Sequence, residues 1–268
     1  MSERIYKAAI FDIGGVVLRS PFIAIAEYER QHGIPDNYIN TSIVARGAQG
    51  AWQRFERGEL ELFAFYDAFS RDLSDTVNGN AWYKAYCKKK GIGRLKMSIL
   101  GWFERFLMIS GKTRMSQVTG PFEREWTRSG PQSQISISAA VGKHKVIALT
   151  NNYSQNSVPQ SERAFLGWEE GATTEDLRSL FDDFCDSSAL GTRKPEPKFY
   201  LIACERNGIK PHEAIFLDDI GLNLKAAKEL GMDTIHVPIG GTFNAVKQLE
   251  AKLGLDLTGK PHASTAKM

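Results

Sequence analysis

Cysteine is scarce in this chain. The three that occur, Cys87, Cys185 and Cys204, are odd in number and far apart, which fits neither a disulfide framework nor the paired spacing of a zinc site. A reducing, intracellular setting is expected. Long apolar runs are missing as well. None approaches the ~20 residues that a membrane span requires, and Met1-Ser2-Glu3-Arg4 lacks the pattern of a secretory leader. Nor does either charge dominate: 34 basic and 31 acidic residues leave a formal net charge of +3, which argues against a nucleic-acid partner. The locally basic stretch Lys84, Lys88, Lys89, Lys90, Arg94 and Lys96 reads as a solvated face. Apolar residues, in contrast, make up 42% of the 268, enough for the core of one α/β domain plus an insertion.

What is present is a series of apolar strands that end in polar groups. Lys7 to Leu18 (KAAIFDIGGVVL) is an apolar run broken by Asp12 and then by Gly14-Gly15, the pattern of a buried parallel strand that delivers Asp12 into a tight turn. Ligands bind at that end of an open α/β sheet, although Asp before Gly-Gly is also ordinary turn chemistry. Val146 to Asn152 (VIALTNN) is a second strand, and its terminal Thr150 and Asn151 suit an anion. Arg193-Lys194-Pro195-Glu196-Pro197 places Lys194 just before a Pro-punctuated helix start; the alternative for Lys194 is a surface ion pair. Ala214 to Asn223 (AIFLDDIGLN) is a third strand that ends in Asp218 and Asp219, a pair that could equally cap the following helix.

Between the first two strands the chain is helical in character. Pro21 to His32 has apolar residues at helical spacing and stops near Gly33-Ile34-Pro35. Trp52, Phe55, Leu60, Phe63, Phe65, Tyr66 and Phe69 recur at short helical intervals, which predicts helix–helix packing. Ser110 to Gly142 has little periodicity, so loose packing is expected there. From Lys145 strands and helices alternate: strand to Leu149, helix Ser161–Leu166, strand near Phe184, helix Glu196–Asn207, strand Ala214–Leu217, helix Leu222–Leu230, strand Thr234–Val237 and helix Phe243–Leu253. That order predicts an α/β fold, a doubly wound parallel sheet, with an inserted helical cap. The expected division is 1–19 and 143–258 for the core, 20–142 for the cap (110–142 irregular) and 259–268 for a polar tail. Ala266-Lys267-Met268 has the form of a peroxisomal address. A cytoplasmic or peroxisomal location, and a peroxisomal import receptor as a partner, are therefore expected.

In order, Asp12, Thr150-Asn151, Lys194 and Asp218-Asp219 resemble the four motifs of the haloacid dehalogenase-like (HAD) hydrolase superfamily, with its Rossmannoid core. Ile215–Gly231 (IFLDDIGLNLKAAKELG) and Lys194–Tyr200 (KPEPKFY) look like the N-terminal phosphatase domain of soluble epoxide hydrolases and their stand-alone relatives. The likeness covers about residues 5–90 and 143–255 and fades between them. It implies that the first strand lies beside the Asp218-Asp219 strand, so that Asp12 and Asp219 face each other. Three converging carboxylates repel one another unless a cation sits among them, and an all-oxygen site favours Mg²⁺.

The resemblance also implies roles. Asp12, the backbone carbonyl of Gly14 and Asp219 would hold Mg²⁺, with Asp218 and Asn223 in support. Asp12 would be the nucleophile on phosphorus. Lys194 would offset charge on the transferred group, and Thr150 and Asn151 would bind its oxygens. The substrate would be a small molecule, a phosphate ester. One departure stands out: phosphatases of this superfamily usually carry an acid-base Asp two residues after the nucleophile, and here that position is Gly14. A 2-haloacid dehalogenase, which needs no such acid, and a non-catalytic HAD-fold protein are the alternatives.

Overall fold

The computed structural model describes residues 5–92, 144–153 and 173–258. Five strands form one all-parallel sheet: β1 (Ala8–Phe11), β2 (Lys145–Thr150), β3 (Asp183–Asp186), β4 (Ala214–Asp218) and β5 (Asp233–His236), in the spatial order β3-β2-β1-β4-β5. The order reverses between β1 and β4, the crevice where an open sheet of this kind binds ligands. Alternation along the strands sorts the core into two layers. Ala8, Ile10, Ile147, Leu149, Ala214 and Phe216 pack with Phe199, Tyr200 and Ala203 of α8 (Pro197–Arg206) and Ala227 of α9 (Gly221–Glu229). Ala9, Phe11, Val146, Ala148, Ile215 and Leu217 pack with Ala245 and Leu249 of α10 (Thr242–Leu253). The expected doubly wound sheet is thus present, and from Lys145 onward each expected element that falls among the described residues lies within a residue or two of its expected bounds.

Between β1 and β2 the described chain is entirely helical: α1 (Pro21–Gln31), α2 (Tyr38–Ala45), α3 (Ala51–Glu56), α4 (Leu62–Ser74) and α5 (Thr76–Lys90), with a 3-10 turn at Gly47–Gln49. These helices bury their own apolar cluster. Leu62, Phe65, Tyr66, Phe69 and Leu73 lie along one stripe of α4, and Phe65 stacks on Phe55 of α3 at 4.1 Å between centroids. One expectation is corrected here. Phe63 is 49% exposed, because it stands one position off that stripe and faces water. Lys84, Lys88, Lys89 and Lys90 of α5 are exposed, as expected.

A buried carboxylate organises the entry to α2. Asn37 at the N-cap has φ 66° and makes no side-chain cap bond. Instead Glu29 of α1, 1% exposed, accepts from Asn37 N at 2.7 Å and Ile39 N at 2.8 Å. It satisfies two of the helix's orphan donors from eight and ten residues away.

The helical lobe sits on the strand ends through α3. Phe55 stacks on Tyr153, just beyond β2, at 4.8 Å. Arg193 Nε meets Glu56 Oε2 at 2.5 Å, and Arg57 reaches Glu196 at 3.3 Å. Ser187, fully buried at the start of the short helix α7 (Ser187–Leu190), which follows α6 (Glu175–Arg178) in chain order, accepts from Asn152 N at 2.9 Å. Its hydroxyl lies 2.5 Å from Glu56 O and 3.0 Å from Asn152 O. Gly58, at φ +71°, passes so close that a Cβ there would stand 2.6 Å from Ser188 O; glycine is the residue for that approach.

The expected helix Ser161–Leu166, the irregular stretch 110–142 and the tripeptide Ala266-Lys267-Met268 lie outside the described residues. Cys87, Cys185 and Cys204 are free thiols. Among the described residues no helix is long and apolar enough to cross a membrane.

Candidate active site

The site is built where β1 and β4 end side by side. Phe11 is in register with Leu217, and Asp12 N still bonds Leu217 O at 2.9 Å, so the ladder runs one residue past the strand and sets Asp12 beside Asp218. Both continue the parity of Ile10 and Phe216 and so project to the same face. Asp12 is 6% exposed and Asp218 is fully buried.

After Asp12 the chain doubles back, with Val17 N and Leu18 N both on Ile13 O and Gly15 N on Leu18 O. The two glycines of this turn differ. Gly15 has φ +91°, and a Cβ there would lie 2.1 Å from Asp219 Oδ2. Gly14 is outside the left-handed region. A side chain at position 15 would be strained by that φ and would press on the Asp219 carboxylate, whereas position 14 carries no such backbone strain.

Lys194 fills the space between the two strand ends. It is 1% exposed, with Nζ 2.7 Å from Asp12 Oδ1 and 2.9 Å from Asp218 Oδ2, above the Phe216 ring at 5.5 Å. Its backbone is clamped from β2: Asn151 Nδ2 donates to Lys194 O at 3.1 Å, and Lys194 N donates to Asn151 Oδ1 at 2.8 Å. Asn151 therefore spends its side chain on the lysine segment, while Thr150 is buried at the end of β2. Asn223 Nδ2 lies 3.1 Å from each oxygen of Asp218, and Ile220 N donates to Oδ1 at 2.7 Å, so Asp218 is saturated.

Two oxygens are not. Asp12 Oδ1 takes Ile13 N at 2.7 Å as well as Lys194, which leaves Oδ2 without a hydrogen bond among the described residues. Asp219 Oδ2 accepts from Ser20 Oγ at 3.2 Å, but Oδ1 is buried with no partner. Asp12, Asp218 and Asp219 each offer an oxygen within 4.8 Å of the others. Burial pushes the Asp12 carboxyl up to about 8, with Lys194 opposing and Asp218 and Asp219 adding repulsion. Burial, then Asp218, raises Asp219 to about 6. Burial disfavours the Lys194 ammonium, yet Asp12 and Asp218 together hold its pKa above the usual value.

Sequence reasoning singled out Asp12, Thr150, Asn151, Lys194, Asp218, Asp219 and Asn223, and the fold brings them to the C-terminal ends of the three inner strands, β2, β1 and β4. It missed Ser20, whose link to Asp219 spans 199 residues, and the Gly15 notch.

The sequence model of haloacid dehalogenase-like hydrolases matches residues 136–231. The chain is 32% identical over 255 residues to acyl-CoA dehydrogenase family member 10 of Mus musculus, covering 95% of this chain and 20% of that protein. It is 27% identical over 258 residues to bifunctional epoxide hydrolase 2 of Sus scrofa, covering 95% and 40%. It therefore spans a fifth to two fifths of the length of these relatives. A HAD-like family hydrolase of Porphyromonas gingivalis shares the fold, at TM-score 0.53 and 18% identity over 91% of this chain and 98% of that one. In sequence the chain is thus similar to the haloacid dehalogenase-like hydrolases over residues 136–231, and it shares its fold with a solved HAD-like family hydrolase.

Proposed function

We propose that this chain is a Mg²⁺-dependent phosphomonoesterase that works through an aspartyl-phosphate on Asp12. The observation that carries the reading is the pair of unsatisfied oxygens, Asp12 Oδ2 and buried Asp219 Oδ1, beside a lysine that holds the neighbouring oxygens. A buried carboxylate oxygen without a partner calls for an explanation. Three carboxylates against one ammonium leave two negative charges uncompensated, and that deficit fits a hard divalent ion. Asp12, Asp219 and the Gly14 carbonyl would hold it, while Asp218, saturated by Lys194, Asn223 and Ile220, supports. When bound, Mg²⁺ supplies charge neutralisation for the transferred phosphoryl group.

Every other role belongs to the chain. Lys194 opposes the protonation of Asp12 and fixes its rotation, so that the carboxylate attacks phosphorus as the bond to the leaving oxygen breaks. Thr150 binds the phosphoryl oxygens from the end of β2, while Asn151, expected to share that role, instead holds the Lys194 backbone in place. Water then attacks the acyl phosphate, releases inorganic phosphate and restores Asp12. With Gly14 in place of a carboxyl, the leaving oxygen takes its proton from solvent, which favours aryl over alkyl phosphates. Residues 20–142 serve as the cap over this crevice, on a core of 1–19 and 143–258.

Release of p-nitrophenol from its phosphate, dependent on Mg²⁺ and abolished by EDTA, tests the reading. Gly14 favours one second reading, a 2-haloacid dehalogenase, and metal-independent chloride release from 2-chloropropionate would establish it instead. A folded protein inactive on both substrates, with Mg²⁺ present, is a non-catalytic member of the superfamily.

A further inference from the structure

Ser20 stands at the junction of the core and the helical lobe, as the N-cap of α1. Its backbone has the extended geometry of an N-cap, φ −66° and ψ 130°, but its side chain makes no bond to the helix. That is unusual use of a serine, whose hydroxyl at this position ordinarily accepts from the first turn. The side chain is 5% exposed and donates instead to Asp219 Oδ2 at 3.2 Å. The same oxygen lies in the notch left by Gly15, where a Cβ would come within 2.1 Å. Asp219 Oδ2 is thus bounded by the glycine turn on one side and by the first residue of the helical lobe on the other. The bond fixes the rotation of the carboxylate and leaves Oδ1, buried and unpartnered, as the oxygen offered to the crevice.

We propose that Ser20 is a positioning residue for Asp219, and that through it the seat of α1 and the binding of a divalent cation are coupled. The inference rests on the metal-site reading above. Outer donors that orient a ligand carboxylate typically change metal affinity 10–100-fold when removed. Because coupling between two sites is reciprocal, a cation held by Asp219 in turn strengthens the seat of α1.

The test is a Mn²⁺ titration of the full chain, with free Mn²⁺ read by electron paramagnetic resonance. Wild type, Ser20→Ala, Ser20→Thr and Asp219→Asn are compared, and each thermal midpoint is measured in EDTA. The expected result is a Kd raised about 10–100-fold in Ser20→Ala and restored in Ser20→Thr, which keeps the hydroxyl. The EDTA midpoint of Ser20→Ala should stay within a few degrees of wild type, since no cap bond is lost. Equal Kd values for wild type and Ser20→Ala, with Asp219→Asn weakened, would overturn the proposal and leave the metal site standing. A Ser20→Thr variant as weak as Ser20→Ala would overturn it too, because space and not the hydroxyl would then be responsible. Wild type that binds no Mn²⁺ removes the metal-site reading and this proposal with it.

Discussion

Glu29 in the helical lobe and Asp219 in the α/β core both keep carboxylate oxygens away from water, and they differ in how those oxygens are spent. Each oxygen of Glu29 accepts a backbone N–H at the start of α2, so the group is complete within the fold. Asp219 has one oxygen on Ser20 and the other buried with no partner, in a carboxylate clustered with Asp12 and Asp218. Burial raises the pKa of both carboxyls, so burial alone does not separate them. Satisfaction does: a withdrawn charge with all its bonds made holds the chain together, and one left short of partners beside like charges is arranged for something from outside.

The comparison can be broken or sharpened by mutation. The largest effect is expected from Asp12→Asn, which removes the anionic nucleophile. Phosphate release from p-nitrophenyl phosphate should fall by about 10³-fold or more, in a protein whose circular dichroism is unchanged. Next comes Lys194→Met. It leaves Asp12 and Asp218 buried without their shared cation, and breaking a buried pair in this way costs about 3–5 kcal/mol. Urea unfolding in EDTA measures the loss, and added Mg²⁺ should recover part of it.

Gly14→Asp is expected to be a gain of function, at a position whose φ lies outside the left-handed region. Turnover of alkyl phosphates should rise by about 10²-fold, and that of aryl phosphates much less. An unchanged alkyl rate would mean that the proton already comes from another group. The smallest effect belongs to Glu29→Gln, which exchanges a charged acceptor for a neutral one at α2. About 1–2 kcal/mol of stability should be lost with Mn²⁺ affinity and kcat intact. A metal-binding defect in Glu29→Gln would erase the distinction between the two carboxylates.

Much of the core and its site was legible because strands buried on both faces read as apolar runs, and each run here stops at the residue that matters: Asp12, Thr150, Asp218. The lysine was legible through its Pro-punctuated helix start. What was not legible depends on distant parts of the chain meeting. Nothing local marks Ser20 as a donor to Asp219, or Glu29 as the acceptor for α2, whose N-cap residue, Asn37, makes no side-chain cap bond. Asn151 illustrates a middle case. Its presence at the site was legible from the strand end, but not that its amide would be engaged both ways with the backbone of Lys194. Phe63 shows the limit of reading aromatics as one stripe, since a single-residue offset turns a ring from the cluster to solvent.

The joint between the lobe and the sheet has a consequence of its own in Ser187. A hydroxyl owns one hydrogen, and this one has two carbonyls in reach, Glu56 O on α3 and Asn152 O on its own side of the joint. While α3 is seated, the proton can point to Glu56. If α3 swings away, a rotation about one bond turns the proton to Asn152, which already donates its N–H to the same oxygen. The Ser187 donor is then not stranded, and the bared Glu56 carbonyl moves out to where water can meet it. The Ser187 hydroxyl thus has a carbonyl for its proton on either side of the joint.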